Sequence, residues 1–224
     1  NTDGSITSSV SANTTSGFSV VTWTGNSGTV GHGLGVKPSC IIFKSRQTAN
    51  NWVVIHKGLG TMSGNVLVLN STGASSGGGA GQAEPTSSVF TITSGLASND
   101  NQVGYVFAEK KGFSKFGSYT GNGSADGTFV YTGFKPAWVM LKNSSATADW
   151  VMLDDKRSPV NETAMKRLFP NDSRVEESGV YLDMLSNGFK IRTSGTDNNG
   201  SGNILIYMAF AENPFVTSGG TPTT

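Results

Sequence analysis

Apolar residues recur at every second position in short runs along this chain, and clusters of Gly, Asn and Ser separate the runs. Phe90-Thr91-Ile92-Thr93 and Phe189-Lys190-Ile191-Arg192 alternate cleanly, as antiparallel strands do when one face is buried and the other solvated. Residues 18–23, 40–44, 52–56, 66–69, 89–93 and 104–109 are rich in Val, Ile, Phe and Trp, which predicts about six strands in the first half. Residues 40–43 and 204–210 are apolar on both faces, so they are expected in sheet interiors. Two segments break the pattern. The Gly-rich stretch 73–81 predicts a flexible loop. In 158–174, Ser158 as a cap, Pro159 behind it and Met165, Leu168 and Phe169 at helical spacing predict one short helix.

The pattern repeats. Trp23-Thr24-Gly25-Asn26 returns as Tyr119-Thr120-Gly121-Asn122, 96 residues on, and Asn51-Trp52-Val53-Val54-Ile55 returns as Asp149-Trp150-Val151-Met152-Leu153, 98 residues on. Phe107-Ala108-Glu109 returns as Phe210-Ala211-Glu212, 103 residues on. The ordered drift of these offsets reads as an internal duplication. The expected fold is therefore all-β, an antiparallel β-sandwich built from two homologous tandem halves, residues 17–113 and 114–216. Residues 1–16 are expected to be a linker or entry strand and 217–224 a tail.

Composition narrows the function classes. Charged residues are 14% of the chain and hydrophobic ones 36%, with 30 Gly in 224 residues, against roughly 25% charged and 45–50% apolar in ordinary domains. A formal net charge of +1 with interspersed signs gives no electrostatic footprint for nucleic acid. No apolar run is long enough to span a bilayer, so membrane insertion is not expected. Asn1-Thr2-Asp3-Gly4-Ser5 lacks the start of a signal peptide, as in a fragment or a protein exported by another route. Cys40 is the single cysteine, which excludes an intrachain disulfide.

The runs 113–127, 129–136, Leu168-Phe169-Pro170-Asn171 and Met208-Ala209-Phe210-Ala211-Glu212-Asn213-Pro214-Phe215 resemble a domain found at the C-terminal end of tail-fibre and minor tail proteins of tailed phages, marine phages especially. Asp3-Gly4-Ser5-Ile6-Thr7-Ser8 and Val30-Gly31-His32-Gly33-Leu34-Gly35 fit the same pattern. The resemblance implies a virion location and partners that are host cell-surface glycans or proteins and other tail proteins. A homotrimer follows only by analogy with fibres. It supplies no catalytic motif.

Binding is the better reading of the polar and aromatic residues. Trp52 and Trp150 each follow an amide or acid, Asn51 and Asp149, beside a polar loop, where a ring can stack on a sugar while its neighbour hydrogen-bonds the hydroxyls. Asp154, Asp155 and Arg157 begin a loop that differs between the halves and is the expected specificity element. Core packing competes for both tryptophans, and for the second matched pair, Trp23 and Tyr119. Catalysis is weakly supported: Glu109 and Glu212 could form a carboxylate pair, and Cys40 with His32 or His56 a nucleophile. Asp126, Asp154 and Asp155 lack the spacing of a calcium loop, so no metal and no cofactor is expected. A non-enzymatic, glycan-binding tail-fibre domain is the preferred expectation; a capping or decoration domain and a glycan-degrading enzyme are the alternatives.

Overall fold

A computed structural model describes residues 1–78, 81–157 and 165–211. Strands form where the apolar alternation puts them, and they are antiparallel throughout the named ladders. In the first unit, Asn1–Leu69 with Ser75–Glu109, these are β1 (Ser8–Asn13), β2 (Phe18–Thr24), β3 (Gly28–Gly31), β4 (Cys40–Ser45), β5 (Val53–His56), β6 (Asn65–Val68), β7 (Ser76–Gly77), β8 (Val89–Ile92) and β9 (Asn101–Phe107). One seven-stranded sheet runs β1-β2-β9-β4-β5-β6-β7, and β3 pairs β8 in a second, small sheet. Val21, Trp23, Ile41, Phe43, Val53 and Ile55 of the large sheet meet Val30, Phe90 and Ile92 of the small one in a single core. Trp23 packs edge-on against Phe90 at 5.5 Å, and Gly104 leaves room for its ring, since a Cβ there would stand 3.0 Å from Trp23 Cζ3.

The second unit, the chain from Lys110 onward together with Asn70–Ala74, contains β10 (Ser114–Thr120), β11 (Phe129–Tyr131), β12 (Pro136–Asn143), β13 (Trp150–Asp154), β14 (Met165–Leu168), β15 (Glu177–Gly179), β16 (Leu182–Leu185), β17 (Gly188–Ile191), α1 (Thr196–Asn199) and β18 (Ile204–Ala211). Its large sheet runs β10-β18-β12-β13-β14-β15 and its small one β11-β17-β16. Val139, Leu141, Val151, Leu153, Leu205 and Tyr207 close on Val130, Leu182, Met184, Phe189 and Ile191. Each unit is thus a large sheet faced by a small one, a layered all-β solution to burying one face of each sheet. The two apolar runs predicted as central, β4 and β18, are interior strands.

Both units thread their strands in the same order, apart from β1 and β16, which have no counterpart. Register agrees as well. Phe43 faces Val53 as Leu141 faces Val151, which puts Trp52 and Trp150 at equivalent positions. Phe18 faces Phe107 as Ser114 faces Phe210.

Three expectations are corrected. Met165 to Leu168 is a strand paired with β13 and β15, not a helix, because cross-strand pairing overrides a local spacing that fits both periods; Ser158 and Pro159 lie outside the described residues. Residues 73–78 are not a wholly free loop: Ser76 and Gly77 pair with β6, and just upstream Thr72 O accepts from Ala148 N at 2.9 Å. Backbone bonds order a segment that has little apolar surface. The units divide after Glu109 instead of after residue 113, and within residues 1–16 the entry strand is β1, at the edge of its sheet. The expected tail, 217–224, lies outside the described residues.

Candidate functional site

The matched tryptophans are packing residues. Trp150 is 1% exposed and opens β13, where its backbone N–H donates to Asn171 Oδ1 at 2.7 Å; its ring offers no face to a ligand. Trp52 is half-buried and stacks on Tyr105 at 6.3 Å, which in turn stacks on Phe18 at 6.4 Å. The Trp23 and Tyr119 pair is buried too. An aromatic kept in both halves serves the scaffold.

The polar residues predicted beside Trp150 form an ion network. Asp149 accepts from Asn171 Nδ2 at 2.7 Å and pairs with Arg174, and this partner pushes the Arg174 guanidinium pKa up. Arg174 also meets Asp172 and Glu177 at 3.2 and 3.4 Å and lies over the Phe169 ring at 3.9 Å. Arg167 bonds Glu177 at 2.7 Å and stacks on Tyr181 at 4.3 Å. Arg157 links Asp154 at 2.5 Å to Glu176 at 2.9 Å, and Lys166 reaches Glu176 at 3.0 Å. Burial raises Asp154's pKa, but hydrogen bonds from Arg157 and from Lys156 N outweigh it and hold the carboxyl below its usual range. Asp155 is buried, with Lys156 at 3.1 Å from its Oδ2. Every cation of this loop is thus met by a carboxylate, so Arg157, Lys166, Arg167 and Arg174 do not form an open anion site.

A buried lysine braces the same region. Lys142 Nζ donates to Ala148 O at 2.7 Å and to Thr72 O at 2.9 Å, as Lys44 donates to Asn50 O at 2.9 Å at the equivalent place in the first unit. Burial lowers the Lys142 pKa to about 8, against the opposing pull of Asp197 and Asp149. Between that value and the ordinary 10.5 the unfolded chain holds the proton and the folded chain does not, so stability rises with pH across this window; below about 8 the full cost of the buried charge is present. Unfolding by denaturant at pH 7, 8.5 and 10 is expected to show Lys142→Met lacking a gain that the wild type shows, at most about 1.4 kcal/mol per pH unit. Parallel curves for the two proteins would show that Lys142 titrates at an ordinary value.

Asn51 has a different setting from Asp149. It lines a groove of about 450 Å³ with Asn50, Val66, Ser76, Leu96 and Ser98. The equivalent positions in the second unit carry Asp149, Arg167 and Glu177, by the register that sets Val66 opposite Ser76 and Arg167 opposite Glu177. What is open and neutral in one unit is filled by ion pairs in the other.

Aromatic rings do face solvent, but not at the matched tryptophans. In β11, Val130 points into the core, and Phe129 and Tyr131 on either side are 44% and 64% exposed. Two strand residues apart, their Cα atoms are about 7 Å apart on one face. Lys190 lies opposite Phe129, with Asp183 beyond it; Lys190 pairs with Asp126 at 2.6 Å and Asp183 with Arg192 at 3.2 Å. Gly188 lies opposite Tyr131, where a Cβ would meet Val130 O at 2.1 Å. In the first unit, where Val30 faces Phe90 as Val130 faces Phe189, the corresponding positions are Thr29, half-buried with its N–H donating to Ser5 Oγ at 2.9 Å, and Gly31, buried, where a Cβ would strike the Asn1 side chain. The scaffold therefore does not require rings there. Sequence reading missed this pair because it sought aromatics common to both halves.

The catalytic candidates have no open geometry. Cys40 lies opposite His56 on the neighbouring strand, but both are buried and burial pushes the Cys40 thiol up, away from the reactive thiolate. His32 is buried, its Nδ1 accepting from Leu34 N at 3.3 Å, and burial lowers its pKa. Glu109 pairs with Lys57, and Glu212 lies outside the described residues. Among the described residues no three His, Cys, Asp or Glu side chains converge as metal ligands.

These features belong to a recognisable family. Residues 1–214 match the family described as Domain of unknown function (DUF7483), and the chain is a member of it. No curated protein and no solved structure matches the chain.

Proposed function

We propose that this chain is a non-enzymatic, host-surface recognition domain of a phage tail fibre, carried on the virion, and that it binds a glycan across the outer face of β11, β17 and β16. The observation that carries this reading is the exposure of Phe129 and Tyr131 at positions where the sister unit has Thr29 and Gly31. Keeping two large rings in water is unfavourable, and a pyranose relieves it: the C–H groups on its apolar face meet the electron-rich face of a ring. Asp126, Asp183, Lys190 and Arg192 beside the rings supply donors and acceptors for the hydroxyls, and as neutralised pairs they favour an uncharged sugar. The resemblance to tail-fibre domains supplies the host-surface context. The shared strand order and register support descent of the two units from one duplicated module, with binding acquired where they differ.

One observation favours a second reading. β11 is a sheet edge, and an edge strand with exposed rings invites another protein chain, which would make this a capping or decoration domain. Adding the free domain to host cells separates the two: a recognition domain competes with phage adsorption and binds host surface polysaccharide, whereas a decoration domain binds particles and leaves adsorption unchanged.

A further inference from the structure

One long edge of β11 is open. The strand ends the sheet β11-β17-β16, and the bonds from Ile191 N to Thr128 O and from Thr132 N to Asn187 O fix which of its residues face β17. Antiparallel ladders alternate, so Thr128, Val130 and Thr132 turn their backbone groups to β17. The N–H and C=O of Phe129 and Tyr131 point outward, and no described residue bonds them. The strand reads Phe-Val-Tyr, with none of the lysines, prolines or bulges that blunt a sheet edge.

The first unit closes the same edge with its own chain. Ile6 N donates to Thr29 O at 2.9 Å, Ser8 Oγ donates to Gly31 O at 3.0 Å, and Ile6 bridges Val30 in parallel. This position of the fold therefore takes a strand, but the same cover does not fit β11. Its track passes Gly28 and Gly31, where a Cβ would stand 2.6 Å from Ser5 Oγ or strike the Asn1 side chain, and the second unit carries Thr128 and Tyr131 there.

We propose that β11 of one chain pairs edge to edge with β11 of a second copy, antiparallel about a twofold axis at Val130. The edge is self-complementary in that register: Phe129 of each chain lies opposite the partner's Tyr131, and every outward N–H meets an outward C=O. One patch thus serves both copies, as a twofold contact requires. Opposed residues share a face of the sheet, so each Phe129 ring stands beside the partner's Tyr131 ring, a favourable cross-strand pair. The two exposed rings of each chain then join into one platform on the outer face. That the partner thereby completes a glycan site rests on the reading above; the pairing itself does not. So short an edge covers much less than the roughly 1,200 Å² of a standard interface, so the pair forms at high local concentration and dissociates on dilution.

Disulfide trapping tests the register. A Phe129→Cys chain mixed with a Tyr131→Cys chain under mild oxidant is expected to give a cross-linked dimer, with at least fivefold less from either chain alone. Opposed positions are about 5.5 Å apart at Cα, within reach of a disulfide, whereas like positions lie on the diagonal at about 7–8 Å, at or beyond its limit. Cys40 is buried and does not compete. Amide exchange tests the pairing with the native rings: at rising chain concentration the Phe129 and Tyr131 amides are expected to slow at least twofold, while Thr132, already bonded to Asn187 O, does not change. Cross-linking that is absent, or equal in the mixture and in either chain alone, overturns the pairing, as does exchange that ignores concentration. A wild type that binds no glycan but gives both expected results keeps the pairing and removes the platform.

Discussion

Replacing Trp150 by Ala is expected to unfold the second unit at much lower temperature and not to leave a folded domain with a blunted ligand site. The ring is buried at the start of an interior strand, and its neighbours Val151 and Leu153 are core residues. Truncating a fully buried Trp costs about 3–5 kcal/mol through lost burial and the cavity left behind. At about 2–4 °C per kcal/mol for chains near this size, the melting midpoint of the second unit falls by roughly 10 °C. Trp52→Ala, at the equivalent but half-buried position, lowers the midpoint of the first unit by less. Near-ultraviolet circular dichroism during a thermal melt reads both. A Trp150→Ala protein that melts like wild type would mean the ring is solvated, and would return it to the list of ligand platforms.

How far the fold could be read from sequence depended on which signal each residue carried. Strand identity was legible because alternation of the kind in Phe189-Lys190-Ile191-Arg192 has one physical meaning, and the repeated blocks give the same register that pairs Phe43 with Val53 and Leu141 with Val151. Met165 and Phe169 were ambiguous. A separation of four residues puts two side chains on one face of a helix and also on one face of a strand, and only pairing with β13 and β15 decides between them. The Thr72 carbonyl bond to Lys142 was not legible at all, since backbone acceptors carry no sequence signature.

The candidate sites followed a different logic. Reading Trp52 and Trp150 as ligand platforms rested on their repetition, yet what two units of like strand order share first is what each core needs. Where the halves disagree at equivalent positions, the scaffold tolerates either residue and another selection is free to act. Phe129 against Thr29 and Tyr131 against Gly31 are disagreements of that kind. They emerge only once the register is known, because the offset drifts from 96 to 103 between Trp23 and Phe107.

The Phe129→Ala/Tyr131→Ala double variant is expected to abolish glycan binding and competition with phage adsorption while leaving the fold intact. Both side chains point away from the core, and Val130 between them holds β11 in place, so the stability change should stay within about 0.5 kcal/mol, as for surface substitutions generally. Binding should fall by much more. Removing both rings takes away the apolar contact that orients the sugar, leaving only solvent-exposed polar groups, and a loss of about 3 kcal/mol corresponds to roughly a hundredfold in affinity. On the proposed virion location many copies would be displayed together, so a modest intrinsic affinity would be multiplied by tethering, and loss of each weak site is expected to remove adsorption almost completely. Gel filtration of the same variant separates the alternative: a wild type that is oligomeric and a variant that is monomeric would assign these rings to contact between chains. A folded double variant that still binds host polysaccharide like wild type would remove the aromatic face from consideration and leave the neutral groove around Asn51 as the place to look.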